Sequence, residues 1–290
     1  MKQHNLTSLT CNPLSDALGA SLEGINAALP LDTEMTEAIR DAWQKHIVVV
    51  LPNQDLNHRQ QVQFTSAFGI PGTRSRDKQK RPEGEEFDNA VMMVSNLRDS
   101  QGNALGSLPD GEMWFHHDSC YYPKPDAATF LYALEIPSKG GNTRFANMYK
   151  AYENLPNDLK TSLKGRRVLQ IYNYGTIEKA DPDGDLRGVR HGTQPIFIRH
   201  RETGRTALYV NRLMTARIEG IPRSDSEAIL DELFSICESP SIIYEHQWKP
   251  GDLLIWDNQS SCHARTDFPN NERRVLRRCT IKGEKMLAAC

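Results

Sequence analysis

The chain has 290 residues, 38% of them hydrophobic and 25% charged, with a net charge of −2. That length and balance describe an ordinary globular protein, built as one large β-rich domain or two small ones. The near-neutral charge gives no reason to expect nucleic acid or an anionic membrane as partner, and no apolar run approaches the roughly 20 residues of a membrane span.

The first twenty residues lack the apolar stretch of a signal peptide, which reads as a cytosolic chain. Residues 33–45 carry helical polar-apolar spacing with Thr33 as the expected N-cap. The β-branched run 47–51, stopped by Pro52, reads as a buried strand. A second helix is expected over 57–68, capped by Asn57 and stopped by Gly69. Residues 71–90 are charged and aperiodic, and read as a surface loop closing over a site. Strand-like pieces follow at 91–94, 129–134, 168–172, 195–198, 207–210, 242–247, 253–256 and 275–281. Helices fit at 148–155, 157–164 and 224–237. Many strands separated by turn signals such as Lys139-Gly140-Gly141-Asn142 predict a β-rich α+β fold, a sandwich or barrel flanked by helices. The six cysteines, Cys11, Cys120, Cys237, Cys262, Cys279 and Cys290, have neither CxxC nor zinc-finger spacing and are read as thiols. Cys120 and Cys262 adjoin the segments described next, with packing as their expected role.

Two distant segments carry the chemistry. One is Trp114-Phe115-His116-His117-Asp118; the other is Ile255-Trp256-Asp257-Asn258, followed by His263, Arg274 and Arg278. On an extended strand His116 and Asp118 share a face and can chelate one ion, with His263 arriving from another strand. Two imidazoles and one carboxylate with open positions suit non-haem Fe(II), although the same ligands also serve zinc. His117, the natural rival of His116, is expected on the opposite face in a structural role. Alone the pattern is weak, since His200-Arg201-Glu202 repeats it in what reads as a hairpin turn. In the run Arg273-Arg274-Val275-Leu276-Arg277-Arg278, alternation puts 274, 276 and 278 on one face. Buried there, Arg274 and Arg278 each require an anion; on an exposed edge strand they would simply be solvated.

Taken together these segments resemble the Fe(II)/2-oxoglutarate dioxygenases of the taurine dioxygenase / 2,4-dichlorophenoxyacetate dioxygenase (TauD/TfdA) family. The resemblance runs roughly from Gly19 to Gly283. It takes in the stretch from Pro137 through Thr143-Arg144-Phe145, Leu208-Tyr209-Val210-Asn211, and Trp248-Lys249-Pro250-Gly251-Asp252. It implies a single domain over 1–290 with a double-stranded β-helix (jelly-roll) core and a helical insert within 145–240. It implies iron held by His116, Asp118 and His263, with O2 and 2-oxoglutarate as cosubstrates. Thr143, 25 residues after Asp118, and Arg274, 11 after His263, match the family's pair on the far carboxylate of 2-oxoglutarate. Arg278, 15 after His263, matches an arginine that meets the substrate's acidic head. The implied reaction is hydroxylation of a small-molecule C–H with decarboxylation of 2-oxoglutarate to succinate and CO2.

Phe115 stands where most members have Trp, and the histidine and asparagine that meet a sulfonate in the taurine enzymes have no counterpart. Taurine is therefore not the expected substrate. Ser119, Tyr121, Tyr122, Tyr172, Tyr174 and Met214 are the candidate pocket residues, with Arg76, Lys78 and Lys80 on the loop. A cluster of tyrosines suits an aromatic or moderately large acid, though each is equally a core residue with a wet hydroxyl. Other readings remain: hydroxylation or desaturation of an amino-acid-derived product in biosynthesis, a binding protein that kept only the barrel, or a zinc hydrolase. A homodimer or homotetramer is expected by the same resemblance.

Overall fold

The computed structural model describes residues 9–74, 89–107, 111–173 and 175–289. Strands β1 (Thr10–Pro13) and β2 (Ala20–Glu23) lead into helix α1 (Thr33–His46), β3 (Val48–Leu51) and α2 (His58–Ser66). Then come β4 (Met92–Ser95), β5 (Met113–His116), β6 (Ala128–Glu135), β7 (Thr143–Asn147), α3 (Met148–Glu153) and α4 (Asn157–Leu163). Strands β8 (Arg167–Tyr172), β9 (Arg190–Pro195), β10 (Phe197–Arg199), β11 (Thr206–Leu208) and β12 (Thr215–Ile218) precede α5 (Arg223–Cys237). The chain closes with β13 (Ile243–His246), β14 (Leu253–Asp257), β15 (Ser261–Arg265) and β16 (Val275–Ile281).

Two sheets make the jelly-roll core. The larger has seven strands in the order β1-β2-β3-β14-β6-β16-β4, and the smaller has four, β13-β7-β15-β5. Alternation along the strands of the large sheet explains its continuous apolar runs. Val48, Val50, Leu254 and Trp256 point inward to meet Phe115, Phe145 and Cys262 of the small sheet. Val49, Leu51, Leu253 and Ile255 point outward to Ile39 and Trp43 of α1 and Phe64 of α2. A strand buried on both faces reads as unbroken hydrophobicity, which is why 47–51 and 253–256 were legible.

Several expected details shift. Asp32, not Thr33, caps α1, its carboxylate accepting from the Met35 amide. Asn57 caps α2 as expected, in a reciprocal capping box with Gln60. The 145–240 segment carries α3, α4 and α5, but also strands β8 to β12, three of which form a separate sheet in the order β12-β8-β9. Of the expected loop, 75–88 lie outside the described residues, Arg76, Lys78 and Lys80 among them, and so does Tyr174. Among the described residues no helix is long and apolar enough to cross a membrane.

Candidate active site

Strand β15 pairs antiparallel with β5 so that His263 stands directly opposite His116. Their rings lie 4.1 Å apart between centroids. Strand β5 ends at His116, so Asp118 does not sit two along an extended strand; it arrives in the following turn, where Ser119 adopts a left-handed φ of 54°. The turn delivers the carboxylate to the same place: one ligand atom from each of His116, Asp118 and His263 lies within 4.8 Å of the others. All three side chains are buried.

The surroundings set each group in ligand form. The His116 Nδ1–H donates to the Trp114 carbonyl at 2.9 Å, which leaves Nε2 as the lone-pair nitrogen. Burial pushes both imidazoles below their ordinary range, His263 strongly, so they stay neutral as metal binding requires. Burial alone would raise the Asp118 carboxyl. Arg278, the two histidines and the Thr129 hydroxyl overcome it and hold the group at about 2. The Thr129 hydroxyl donates to Asp118 at 2.7 Å and is itself fixed by the Asn258 amide at 3.1 Å. His117 is turned away, its ring stacked on Tyr209 at 4.3 Å and its Nδ1 facing Asn211, with burial holding its pKa at about 3. Cys120 is fully buried, and burial pushes its thiol up to about 12, which makes it inert packing.

Behind the triad lies a second polar nest. Register puts Thr143 of β7 opposite Arg265 and two residues from Phe145, which faces His263. Trp248 Nε1 donates to the Thr143 hydroxyl at 2.9 Å, leaving that hydroxyl's own proton to donate elsewhere. Arg274 is 3% exposed, its Nε donating to the Gly141 carbonyl at 3.0 Å. Gly141 is required there: its φ is +65°, and a Cβ would come within 3.1 Å of the Arg274 side chain. No carboxylate of the described residues pairs with Arg274, and burial, aided by nearby Arg265, pushes its guanidinium down to about 9. A buried cation without a counter-anion is costly, and a ligand carboxylate would complete it.

A cavity of about 740 Å³ opens onto His116 and Asp118, a size typical of small-molecule sites. Its wall includes His116, Asp118, Ser119, Tyr121, Tyr122, Tyr172, Met214 and Arg278. His263, Thr143 and Arg274 lie outside that wall, buried. Arg278 reaches the cavity already paired: Nη2 lies 3.0 Å from Asp118 and 4.0 Å from Asp126. The bulge between Val275 and Leu276 breaks the simple alternation expected to align Arg274 with Arg278. Thr129, Asp126, Arg190 and Arg265 are not singled out as site residues by the sequence, and Trp248 enters there only within a segment of the resemblance. Only Arg265, two residues from His263 on one strand face, carried a readable signal.

The family description "Taurine catabolism dioxygenase TauD, TfdA family" matches residues 10–280. The chain is 31% identical over 286 residues to the (S)-phenoxypropionate/alpha-ketoglutarate-dioxygenase of Sphingobium herbicidovorans, covering 94% of each. It is 30% identical over 279 residues to pentalenolactone F synthase of Streptomyces avermitilis, covering 90% of each. A solved taurine dioxygenase from Burkholderia xenovorans superposes with a TM-score of 0.80 at 27% identity, covering 97% of this chain and 91% of that one.

Proposed function

The chain belongs to the TauD/TfdA family of 2-oxoglutarate-dependent dioxygenases, and from that premise we propose that His116, Asp118 and His263 hold Fe(II) and that Arg274 and Thr143 hold 2-oxoglutarate. The observation that carries this reading is Arg274, a buried guanidinium with no carboxylate partner among the described residues, set beside a three-ligand cluster. A zinc hydrolase or a bare binding barrel built on the same triad would have no use for that cation.

The donor set fits the metal: two neutral imidazoles and an ionised carboxylate on one side, with the remaining side open toward the cavity. Bound there with 2-oxoglutarate, iron supplies the activation of O2 that lets a C–H bond be hydroxylated while the cosubstrate decarboxylates to succinate and CO2. The protein's own part is placement. The Trp114 carbonyl fixes the His116 tautomer, and the Asn258–Thr129 chain orients Asp118. Arg274 and the Thr143 hydroxyl grip the far carboxylate of 2-oxoglutarate through charge-assisted hydrogen bonds. The cavity would hold the substrate's C–H near the centre. One relative's name gives phenoxypropionate, a small aryl acid, as what it acts on, which supports a small anionic substrate here.

The test is an anaerobic titration with Fe(II) and then 2-oxoglutarate, following the visible charge-transfer band of the chelated complex. The band should form with wild-type protein and weaken in His116→Ala and Arg274→Ala. A folded wild-type protein that gives no band would remove the dioxygenase reading.

A further inference from the structure

Phe268, between β15 and β16, is a buried aromatic that sits apart from the apolar core. It is only 5% exposed, yet among the described residues it joins neither of the two apolar clusters. Cations face its ring instead. The guanidinium carbon of Arg265 lies over the ring at 5.7 Å from the centroid, and that of Arg274 at 5.9 Å. Arg265 is anchored by its Nε, which donates to the Gly111 carbonyl at 2.8 Å. Arg274 spends its Nε on the Gly141 carbonyl and its amide on the Asn96 side chain, and among the described residues no acceptor takes its Nη nitrogens.

The main chain sets the position of this ring. Residues 266–268 follow β15 and are stitched to the turn that leads into β7. The Thr266 amide donates to the Asn142 carbonyl at 3.0 Å, and the Asn142 amide donates to the Thr266 hydroxyl at 2.9 Å. The Gly141 amide donates to the Asp267 carbonyl at 3.0 Å. Gly140, with a φ of +73°, comes so close that a Cβ there would sit 2.1 Å from that same oxygen. The turn also supplies the carbonyl that holds Arg274, and it leads directly into Thr143. Ring, guanidinium and hydroxyl are thus tied to one piece of backbone.

We propose that Phe268 is a positioning residue for the far carboxylate of 2-oxoglutarate, acting through Arg274. The inference rests on the dioxygenase reading and goes beyond it by assigning a residue that works through another. A cation over an aromatic face is held by the ring's quadrupole, and the guanidinium keeps its in-plane N–H groups for a carboxylate. Two like charges share this ring: after burial, the charge on Arg265 is what works against a charged Arg274. An aliphatic side chain would fill much of the space without offering that face.

The experiment is an anaerobic titration of Fe(II)-loaded protein with two keto acids, following the charge-transfer band. One is 2-oxoglutarate; the other is 2-oxopentanoate, which has the same chelating head and a methyl in place of the far carboxylate. Wild-type protein should bind 2-oxoglutarate more tightly. Phe268→Leu should weaken 2-oxoglutarate about two- to thirtyfold, with 2-oxopentanoate and Fe(II) affinities unchanged, and Phe268→Tyr should recover most of the loss. The proposal is overturned if Phe268→Leu leaves 2-oxoglutarate unaffected, if it weakens both keto acids alike, or if Phe268→Tyr binds no better than Phe268→Leu. Should Phe268→Leu fail to fold, Phe268→Met read against the same two acids decides in its place. A wild-type protein that gives no band with either acid strikes the dioxygenase reading itself. A normal wild-type band with any of the overturning results strikes the role of Phe268 alone.

Discussion

The chain contains two buried histidines followed two residues later by an acid, and only one of them belongs to a ligand cluster. His116 spends Nδ1 on the Trp114 carbonyl and keeps Nε2 for the space it shares with Asp118 and His263. His200 has nothing left to offer. Its Nε2 pairs with Asp257 at 2.9 Å, and its Nδ1 accepts from the amides of Glu202 and Thr203. It sits in the hairpin turn between β10 and β11, the position its sequence suggested. The shared pattern says nothing about function; the difference is whether a ring nitrogen remains after local structure has been satisfied. His200 ties a hairpin to β14, and His116 faces a partner strand carrying another imidazole.

The sharpest way to break this comparison is to remove one histidine from each side. His263→Ala should abolish the Fe(II)–2-oxoglutarate band and turnover, a larger effect than the roughly 10–100-fold typical of losing an outer partner of a ligand. His200→Ala should leave the band intact at temperatures where the protein is folded. It strips Asp257 Oδ2 of its partner in a nearly buried setting, which costs about 3 kcal/mol and lowers Tm by roughly 6–12 °C. A differential melt and a spectral titration on both variants check the pair. If His200→Ala lost the band with an unchanged melt, the division between structural and ligating histidine would be wrong.

Acid sharpens the contrast through stability. The folded pKa of His117 lies at about 3, below the ordinary histidine value, so the unfolded chain binds a proton the folded chain refuses. Its contribution is therefore present above about pH 6.5 and lost as pH falls, at about 1.4 kcal/mol per unit until the folded value is reached. His116 and His263 are shifted the same way. His200 is shifted upward, because Asp257 overcomes its burial, and it favours the fold at low pH. Metal-free protein should melt progressively earlier from pH 7 to pH 5, and His117→Gln should flatten that slope. A slope unchanged by the substitution would show that His117 does not hold its proton off.

How much of this was legible follows from what each residue faces. Strands buried on both faces, such as β3 and β14, announce themselves by hydrophobicity alone. Strand β15 does not: Ser261, Cys262, His263, Ala264 and Arg265 are all buried, yet three are polar or charged, because the strand runs through the site. Its burial becomes intelligible only once the partners of His263 and Arg265 are known. His116 and Asp118 come together by another local route than the sequence suggests, since a turn at Ser119 replaces the expected continuous strand. Thr129 carried no signal, being one apolar-strand threonine among several. Arg190 was hidden in the same way: nothing near it in sequence tells that β9 lies against the Tyr121–Tyr122 turn.

Thr129 gives the smallest test and the most specific one. His116 and His200 both depend on a neighbour that orients them, and Asp118 depends likewise on the Thr129 hydroxyl, with Asn258 behind it. Thr129→Val keeps the shape of the side chain and removes only the donor. Asp118 retains Arg278 at 3.0 Å, so its charge persists while its orientation loosens. Fe(II) affinity should fall about tenfold, at the low end for an outer partner of a metal ligand. The 2-oxoglutarate affinity of the iron-loaded protein should change little, because Arg274 and Thr143 are untouched. A loss in both affinities would mean that Thr129 supports the sheet rather than the carboxylate. A loss in neither would mean that Arg278 alone is enough to orient Asp118.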